Sequence, residues 1–222
     1  MKKFVVIGNP IEHSLSPTLH NYWIKSNGFD VIYVKQKLDE GELEQVILQI
    51  RKKKIDGVNV TVPFKKAIIP FLDELSVEAE NTQSVNTLYL KDNKVIGHNT
   101  DIFGFETSMK ISEYNVFNKE VLILGAGGVV PSIIFALNKM KVSKIRISNR
   151  TKEKAQNLKK LFKNIEIIEW GEVPNFDMII NATSLGLKKD DYINLDFSLI
   201  SISCLFYDVI YNPGETNFLK TG

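Results

Sequence analysis

Apolar and polar residues alternate most regularly at residues 58–62, where valines alternate with Asn59 and Thr61. This period-two pattern is typical of a β-strand with one buried face. Pro63 comes next and lacks the backbone N–H that a central strand donates, so the strand has to end there. The pattern therefore predicts a strand that carries Thr61 near its end, followed by a helix over 65–72.

The other apolar patterns of the first half predict an alternation of strands and helices. Short apolar runs closed by turn residues indicate strands, and apolar residues that recur every three or four positions indicate helices. A helix opens at Pro17 after Ser16, its expected N-cap, and another follows Asp101. The remaining predicted elements are strands at 4–7, 31–34, 85–90 and 95–97, and helices at 41–50 and 77–80.

In the second half, the apolar run 120–124 leads directly into glycines and then into a helical pattern. This order is the context of the dinucleotide-binding fingerprint, with Gly125 for the tight turn and Gly127 for close approach to a pyrophosphate. Val130 replaces the third small residue of that fingerprint. The next strand, 144–148, follows at the distance of one βαβ unit, and later strands are predicted at 165–168, 178–180 and 206–209. We therefore predict a Rossmann-like, doubly wound domain.

The residues after the second strand of this unit indicate which dinucleotide binds. NAD enzymes usually carry an acid there for the ribose 2′-hydroxyl, whereas this chain has Asn149, Arg150 and Thr151. An acid would repel a 2′-phosphate, and a guanidinium can bind it with two hydrogen bonds. The simpler interpretation, a solvated arginine at a helix start, does not explain the spacing from the glycine turn. We predict NADP, with the polar loop of Thr183 and Ser184 also at the ligand-binding edge.

Composition narrows the class of protein. The chain has 222 residues, 44% hydrophobic and 24% charged, which suits a soluble globular protein of two modest domains. A formal net charge of +2 gives no reason to expect nucleic acid or an anionic membrane as a partner. No apolar run approaches the roughly 20 residues that span a bilayer, and the apolar start is too short for a signal peptide.

Cysteine and histidine usage narrows the chemistry further. Cys204 is the only cysteine, which excludes an intramolecular disulfide and favours a reducing cytoplasm. We expect Cys204 to be a small buried apolar residue and not a reactive thiol. The three histidines, His13, His20 and His98, are scattered and have no cysteine partner for a catalytic zinc, so we predict no metal site.

Two groups in the first half are candidates for chemistry. Ser14 and Ser16 stand at a helix start, where free backbone N–H groups and hydroxyls can hold a carboxylate. Capping of the helix by Ser16 is the simpler interpretation. Lys65 stands near the start of a helix, the less favourable end for a cation, and needs a compensating anion. Asp101 either caps the helix that follows it or is that anion.

The chain resembles the shikimate dehydrogenase family through eight motifs that occur in the family's order. These motifs are residues 14–17, 59–65, 85–87, 99–101, 125–128, 149–151, 181–184 and 211–213. The resemblance implies reversible reduction of 3-dehydroshikimate to shikimate by NADPH in aromatic amino-acid biosynthesis. It also implies a substrate-binding and catalytic domain at 1–101 and an NADP-binding domain at 102–222. We expect a monomer or a homodimer, with a small-molecule substrate as partner.

The resemblance also implies roles for individual residues. Lys65 would be the acid–base residue, with Asp101 as its partner. The substrate carboxylate would be held by Ser14, Ser16 and Tyr211, and the ring hydroxyls by Thr61, Asn86 and Asp101. The NADP-binding residues would be Gly125, Ala126, Gly127, Gly128, Asn149, Arg150, Thr151, Thr183 and Ser184.

Three departures from the family pattern are visible. Gln83 and Ser84 replace the usual Gly-Ala, and Val130 and Pro131 replace a small residue and an arginine. The sequence also stops at Gly222, before the family's closing helices and their substrate-binding glutamine, so we expect activity to be impaired. Two alternatives stay open: an impaired module that only binds NADP or a metabolite, and a quinate/shikimate dehydrogenase that uses NAD.

Overall fold

The computed structural model describes residues 1–188 and 190–222. The chain divides into two compact units, Met1–Ile102 and Phe103–Gly222, and each has its own β-sheet with helices. The predicted α/β fold class is confirmed. No helix in the described part of the chain is long and apolar enough to cross a membrane.

The first unit contains a six-stranded sheet. Its strands are β1 (Lys2–Gly8), β2 (Val31–Lys37), β3 (Gly57–Val60), β4 (Glu74–Leu75), β5 (Thr87–Lys91) and β6 (Lys94–His98). The strand order is β2-β1-β3-β5-β6-β4. The pairs β1–β2, β1–β3 and β4–β6 are parallel, whereas β3–β5 and the hairpin β5–β6 are antiparallel. The sheet is therefore mainly parallel, as predicted.

The helices of the first unit are short. They are α1 (Ser16–Ser26), α2 (Leu43–Arg51), α3 (Phe64–Ala67) and α4 (Val77–Thr82), with 3-10 turns at Glu40–Glu42 and Ile69–Phe71, and α5 (Asp101–Ile111) begins at the end of this unit. Helix α2 has the apolar face that its sequence predicts and buries Leu43, Val46, Ile47 and Ile50. These residues join β1, β3 and β5 in one core.

Three local predictions in this unit are wrong. The strand predicted to carry Thr61 ends at Val60, so Thr61 lies just beyond it. The helix predicted over 65–72 ends at Ala67 and continues only as a 3-10 turn. Pro70 causes the break, because it has no N–H to donate and its ring crowds the carbonyl of Lys66 four residues earlier. Ser16 is not the N-cap of α1 but its first residue; Ser14 Oγ instead accepts from Ser16 N at 3.3 Å.

The second unit is built on a five-stranded, wholly parallel sheet. Its elements are β7 (Glu120–Leu124), α6 (Val130–Lys139), β8 (Lys144–Ser148), α7 (Lys152–Leu161), β9 (Ile165–Ile168), β10 (Met178–Asn181), β11 (Leu205–Asp208) and a 3-10 turn at Leu219–Thr221. The strand order is β11-β10-β7-β8-β9. The chain runs outward from β7 to β9 and then returns to add β10 on the other side. The order therefore reverses beside β7, which is where doubly wound sheets bind ligands.

Candidate active site

Lys65 and Asp101 form an ion pair in the first unit. Lys65 is carried by α3, and Asp101 is the first residue of α5. The distance from Lys65 Nζ to Asp101 Oδ2 is 2.6 Å, and the two side chains are only 12% and 22% exposed. Partial burial strengthens the attraction between the charges, because less water screens them. The structure thus brings together the two residues for which a catalytic partnership was predicted.

Asn86 completes the surroundings of the Asp101 carboxylate. Its Nδ2 donates to Asp101 Oδ1 at 2.8 Å and to Thr100 Oγ1 at 2.9 Å, while its Oδ1 accepts from Thr100 N at 3.0 Å. The backbone N–H of Asp101 is capped by Asn99 Oδ1 at 3.0 Å. Each carboxylate oxygen therefore has its own donor, and the carboxylate can turn only by breaking one of these bonds.

Thr61 lies just beyond β3, on the segment that leads to Lys65. Its N–H donates to Ile7 O at 2.9 Å, and its carbonyl accepts from Phe64 N at 2.9 Å. A Cβ on Gly8 would lie 2.6 Å from Thr61 Cγ2, so only a glycine leaves room for this threonine. Thr61 is half-buried, and both of its backbone bonds hold the start of α3 in place.

Ser14 and Ser16 lie at the start of α1, and both are half-buried. The hydroxyl of Tyr33 donates to Asn59 Oδ1 at 2.6 Å. Burial raises the pKa of Tyr33 to about 12, so the phenol stays neutral and keeps its proton to donate. Tyr33 on β2 is thereby connected to Asn59 on β3.

Hydrogen bonds continue from Asn59 to the Lys65–Asp101 pair through Thr87 and Asn86. Asn59 Nδ2 donates to Asn86 O and to Thr87 Oγ1, both at 3.2 Å, and Thr87 Oγ1 donates to Asn86 Oδ1 at 3.0 Å. A polar network thus runs from Tyr33 to Asp101. Asn59 and Thr87 were visible as polar positions in strands, but Tyr33 carried no signal, because its contact depends on the order β2-β1-β3.

Gly125 forms the turn after β7 in the second unit. Its φ is +110°, and a Cβ there would lie 2.7 Å from the carbonyl oxygen of Ala182. Its N–H donates to Ser148 O at 2.8 Å. The turn is therefore pressed against the chain that leaves β10, at the point where the strand order reverses, and its close approach requires a glycine.

The residues after this turn expose backbone to solvent. Gly127 and Gly128 are exposed, Ala126 is half-buried, and α6 begins at Val130. Exposed glycines before a helix are a suitable place for phosphate oxygens, because a glycine has no side chain to hinder their close approach.

Arg150 follows β8, on one side of the glycine turn in the sheet order. It is exposed and forms no ion pair with any residue in 1–188 or 190–222. By contrast, the nearby Lys152 is paired with Glu169, with Nζ and Oε1 2.7 Å apart. Asn149 Nδ2 donates to the carbonyl of Thr151 at 2.8 Å and shapes the turn that carries Arg150. The guanidinium is thus free for a ligand.

Thr183 and Ser184 lie in the loop after β10. Thr183 is half-buried and donates through N and Oγ1 to Asn181 Oδ1 at 3.0 and 2.8 Å, whereas Ser184 is exposed. Tyr211, in the loop after β11, is 67% exposed. Tyr211 belongs to the second unit, whereas the other residues predicted to bind substrate belong to the first.

Cys204 is half-buried and packs on the core of the second unit. Burial raises the pKa of its thiol to about 11, so the nucleophilic thiolate is scarce at neutral pH. Among the described residues, no cluster of three or more His, Cys, Asp or Glu side chains is placed to hold a metal ion.

Comparison with known proteins identifies the family. The model of the shikimate dehydrogenase substrate-binding domain matches residues 6–88, and the model of shikimate/quinate 5-dehydrogenase matches residues 106–187. The chain belongs to the shikimate dehydrogenase family. One relative in this family, the shikimate dehydrogenase (NADP(+)) of Pelagibacter ubique, is 64% identical over 219 residues, which cover 99% of this chain and 83% of the relative.

Solved structures of the shikimate dehydrogenase family have the same fold. The crystal structure of the Aquifex aeolicus enzyme matches with a TM-score of 0.88 at 37% identity, covering 99% of this chain and 82% of that one. The Thermus thermophilus enzyme, in complex with NADP(H) and shikimate, matches with a TM-score of 0.89 at 30% identity, covering 99% and 83%.

The structure also accounts for two departures from the family pattern. Gln83 ends α4 with a φ of +48°, a left-handed conformation that suits the glycine expected there. Val130 is fully buried, so it fills core space under the glycine turn. Pro131 is the second residue of α6, where a missing N–H leaves no intrahelical bond unmade.

Proposed function

We propose that this protein catalyses the reversible, NADP-dependent interconversion of 3-dehydroshikimate and shikimate. The observation that carries the proposal is the Lys65–Asp101 pair, a partly buried ammonium held 2.6 Å from its carboxylate in a chain of this family. We assign substrate binding and catalysis to residues 1–101 and cofactor binding to residues 102–222.

Lys65 is suited to proton transfer at the substrate's carbonyl oxygen. Negative charge grows on that oxygen as the carbonyl carbon is reduced, and a positioned ammonium stabilises the charge and then donates a proton. In the reverse direction the amine accepts the proton from the hydroxyl. Asp101 keeps Lys65 in place, and because an ammonium has three N–H groups, the ion pair leaves two of them for the substrate.

The second unit fits NADP. The glycine turn at Gly125 is followed by the exposed Gly127, where no side chain hinders a phosphate, and the exposed Arg150 supplies a cation for a 2′-phosphate. When bound, NADPH supplies the hydride for the reduction. The described part of the chain after β8 has no acid next to Arg150 that would select NAD.

A spectroscopic assay tests the function directly. The protein is mixed with shikimate and NADP, and the appearance of NADPH is followed by its absorbance. We expect turnover with NADP and shikimate, and much slower turnover when NAD or quinate replaces either one. A protein that binds NADP but never reduces it is a binding module, and faster turnover with NAD and quinate would identify the alternative enzyme.

We further infer a cellular location and an oligomeric state. The single thiol, held protonated by burial, is compatible with a reducing cytoplasm. Every residue to which we assign a ligand comes from one chain, so a monomer suffices for the chemistry and a homodimer is compatible with it.

A further inference from the structure

A polar network lies at the carboxyl edge of the second sheet and is built on two residues that have no assigned role, Asn181 and Asp208. Asn181 ends β10 and Asp208 ends β11, and the two residues are partners in the register of these strands. Asn181 is fully buried, and its Nδ2 donates to the two oxygens of Asp208 at 3.1 and 3.0 Å and to the carbonyl of Leu185 at 3.0 Å. Buried side-chain amides of this kind are costly unless they are fully bonded.

The carboxylate of Asp208 determines which way the Asn181 amide points. A carboxylate only accepts hydrogen bonds, so only the NH₂ end of the amide can face it. The Oδ1 end therefore faces the loop after β10, where it accepts from Thr183 N and Thr183 Oγ1 at 3.0 and 2.8 Å. Thr183 Oγ1 then accepts from Leu185 N at 3.0 Å. The conformation of this loop follows from the charge on Asp208.

The same carboxylate holds the loop after β11. Asp208 Oδ1 accepts from Ile210 N at 2.9 Å, and Oδ2 accepts from Thr216 Oγ1 at 2.6 Å. Thr216 is only 1% exposed. Tyr211 lies between these two anchor points in sequence, and its side chain is exposed.

We propose that Asp208 is a positioning residue for the dehydrogenase reaction: one carboxylate orients the loop of Thr183 and Ser184 for the cofactor and the loop of Tyr211 for the substrate. This inference rests on the proposed function, since these loops touch ligands only if the protein is the dehydrogenase. Asp208 itself touches neither ligand. It acts through the Asn181 amide and the Thr216 hydroxyl.

A charge swap tests the proposal. Asp208→Asn keeps the shape but lets the amide at 181 turn over, so we expect kcat to fall roughly 10- to 100-fold and NADP binding to weaken. Asn181→Asp places two carboxylates face to face and should cost at least as much. In the double variant, Asn181→Asp with Asp208→Asn, a donor again faces an acceptor, and the carboxylate at 181 still accepts from Thr183, but the Leu185 carbonyl loses its donor. We expect the double variant to recover part of the lost turnover and to exceed the worse single variant, a non-additive result.

Controls separate positioning from folding. Asp196→Asn alters an exposed aspartate of the same unit, whose Oδ1 accepts from Ser198 N at 2.9 Å, and should leave both constants unchanged. Thr216→Val removes the hydroxyl but keeps the shape, and should raise the KM for shikimate while changing the Kd for NADP less than about twofold. This variant keeps the proposal testable if Asp208→Asn does not fold.

The measurements are kcat, the KM for shikimate, the Kd for NADP by calorimetry and the thermal unfolding midpoint of each variant. The proposal is overturned if Asp208→Asn has the parent's kcat and Kd per folded molecule, if the charge swap is no better than the worse single variant, or if Thr216→Val changes the KM and the Kd equally. If the parent binds NADP but does not oxidise shikimate, the proposed function fails. The Kd values of the Asp208 and Asn181 variants still test the orientation of the loop in that case.

Discussion

At the scale of single residues, the arrangement around Lys65 decides what chemistry the first unit can perform. Removing a charge from water is expensive, and a 12% exposed ammonium is stable there because Asp101 compensates it at 2.6 Å. Asp101 is held in turn by Asn86, whose Nδ2 lies 2.8 Å from Oδ1. The result is a cation in a fixed position with N–H groups to spare, which is what a proton donor to a carbonyl oxygen requires.

Lys65→Ala should remove most of the turnover with little loss of shikimate binding. The interaction of the ammonium with the substrate oxygen is strongest in the transition state, so kcat should fall by roughly 10²- to 10⁴-fold. Lys66→Ala is the matched control, because Lys66 is an exposed lysine on the same helix, α3. Steady-state kinetics on both variants check this. A similar loss of kcat in both variants would show that the effect is not specific to Lys65. A rise in KM with kcat unchanged in Lys65→Ala would show that Lys65 only binds the substrate.

Arg150→Ala should weaken NADP and leave NAD nearly unchanged. The lost charge-assisted hydrogen bonds to the 2′-phosphate are worth roughly 1.5–3 kcal/mol, and NAD has no such group. Lys152→Ala serves as the control, because Lys152 is a neighbouring cation already paired with Glu169 at 2.7 Å. Calorimetric titration with each dinucleotide checks this. Equal losses for NADP and NAD would contradict the assignment of Arg150.

Contacts between side chains could be predicted from the sequence where a local feature of the chain calls for them. They could not be predicted where they depend on the order of the strands in the sheet. The Lys65–Asp101 pairing was proposed from an unfavourable charge at a helix start, which is a local argument. The contact between Tyr33 and Asn59 at 2.6 Å depends on β1 lying between their strands. The hydrogen bond between Asn181 and Asp208 likewise depends on β11 lying beside β10. Neither adjacency can be read from apolar periodicity.

At the scale of elements, the end of α3 illustrates how one residue overrides a helical pattern. The periodicity of 65–72 favours one helix, but the structure has α3 ending at Ala67 and a 3-10 turn at Ile69–Phe71. Pro70 ends the α-helical bonding. Strands β7 and β8 and the glycine turn were predicted with the right bounds, because apolar runs and glycines act locally.

Gly125→Ala should destabilise the second unit. A φ of +110° is strained for alanine, and the new Cβ would lie 2.7 Å from the carbonyl oxygen of Ala182, so we expect the free energy of unfolding to fall by about 1–3 kcal/mol or more. Gly127→Ala is the control, because its Cβ would lie at an ordinary 3.7 Å from the same atom. Chemical denaturation without cofactor compares the two. Equal stabilities would mean that the turn relaxes freely.

At the scale of the whole molecule, two units of different sheet type share one chain. Met1–Ile102 has a mixed sheet with a hairpin, and Phe103–Gly222 has a wholly parallel sheet whose strand order reverses beside β7. Burial disfavours the charged form and raises the pKa of three groups: the phenol of Tyr33 in the first unit, and the thiol of Cys204 and the phenol of Tyr114 in the second. The shifts of Tyr33 and Cys204 are the large ones.

These two groups predict how stability depends on alkaline pH. The native pKa of Tyr33 is about 12 against an ordinary 10.0, and that of Cys204 is about 11 against 9.0. In both cases the unfolded chain releases its proton first, so the native state binds more protons and stability falls as pH rises. Cys204 should therefore lower the free energy of unfolding as pH rises from 9 to 11, and Tyr33 should lower it as pH rises from 10 to 12.

Two variants test which group causes each part of the fall in stability at alkaline pH. Tyr33→Phe should lower stability at neutral pH, because the bond to Asn59 is lost, yet flatten the decline above pH 10, while Cys204→Ala should flatten the decline that starts near pH 9. Tyr22→Phe is the control, because it removes the same hydroxyl from a tyrosine that is 68% exposed. Denaturant titrations across this pH range measure the effect. If Tyr33→Phe declines between pH 10 and 12 as steeply as the parent, the phenol of Tyr33 is not the group that the folded first unit keeps protonated.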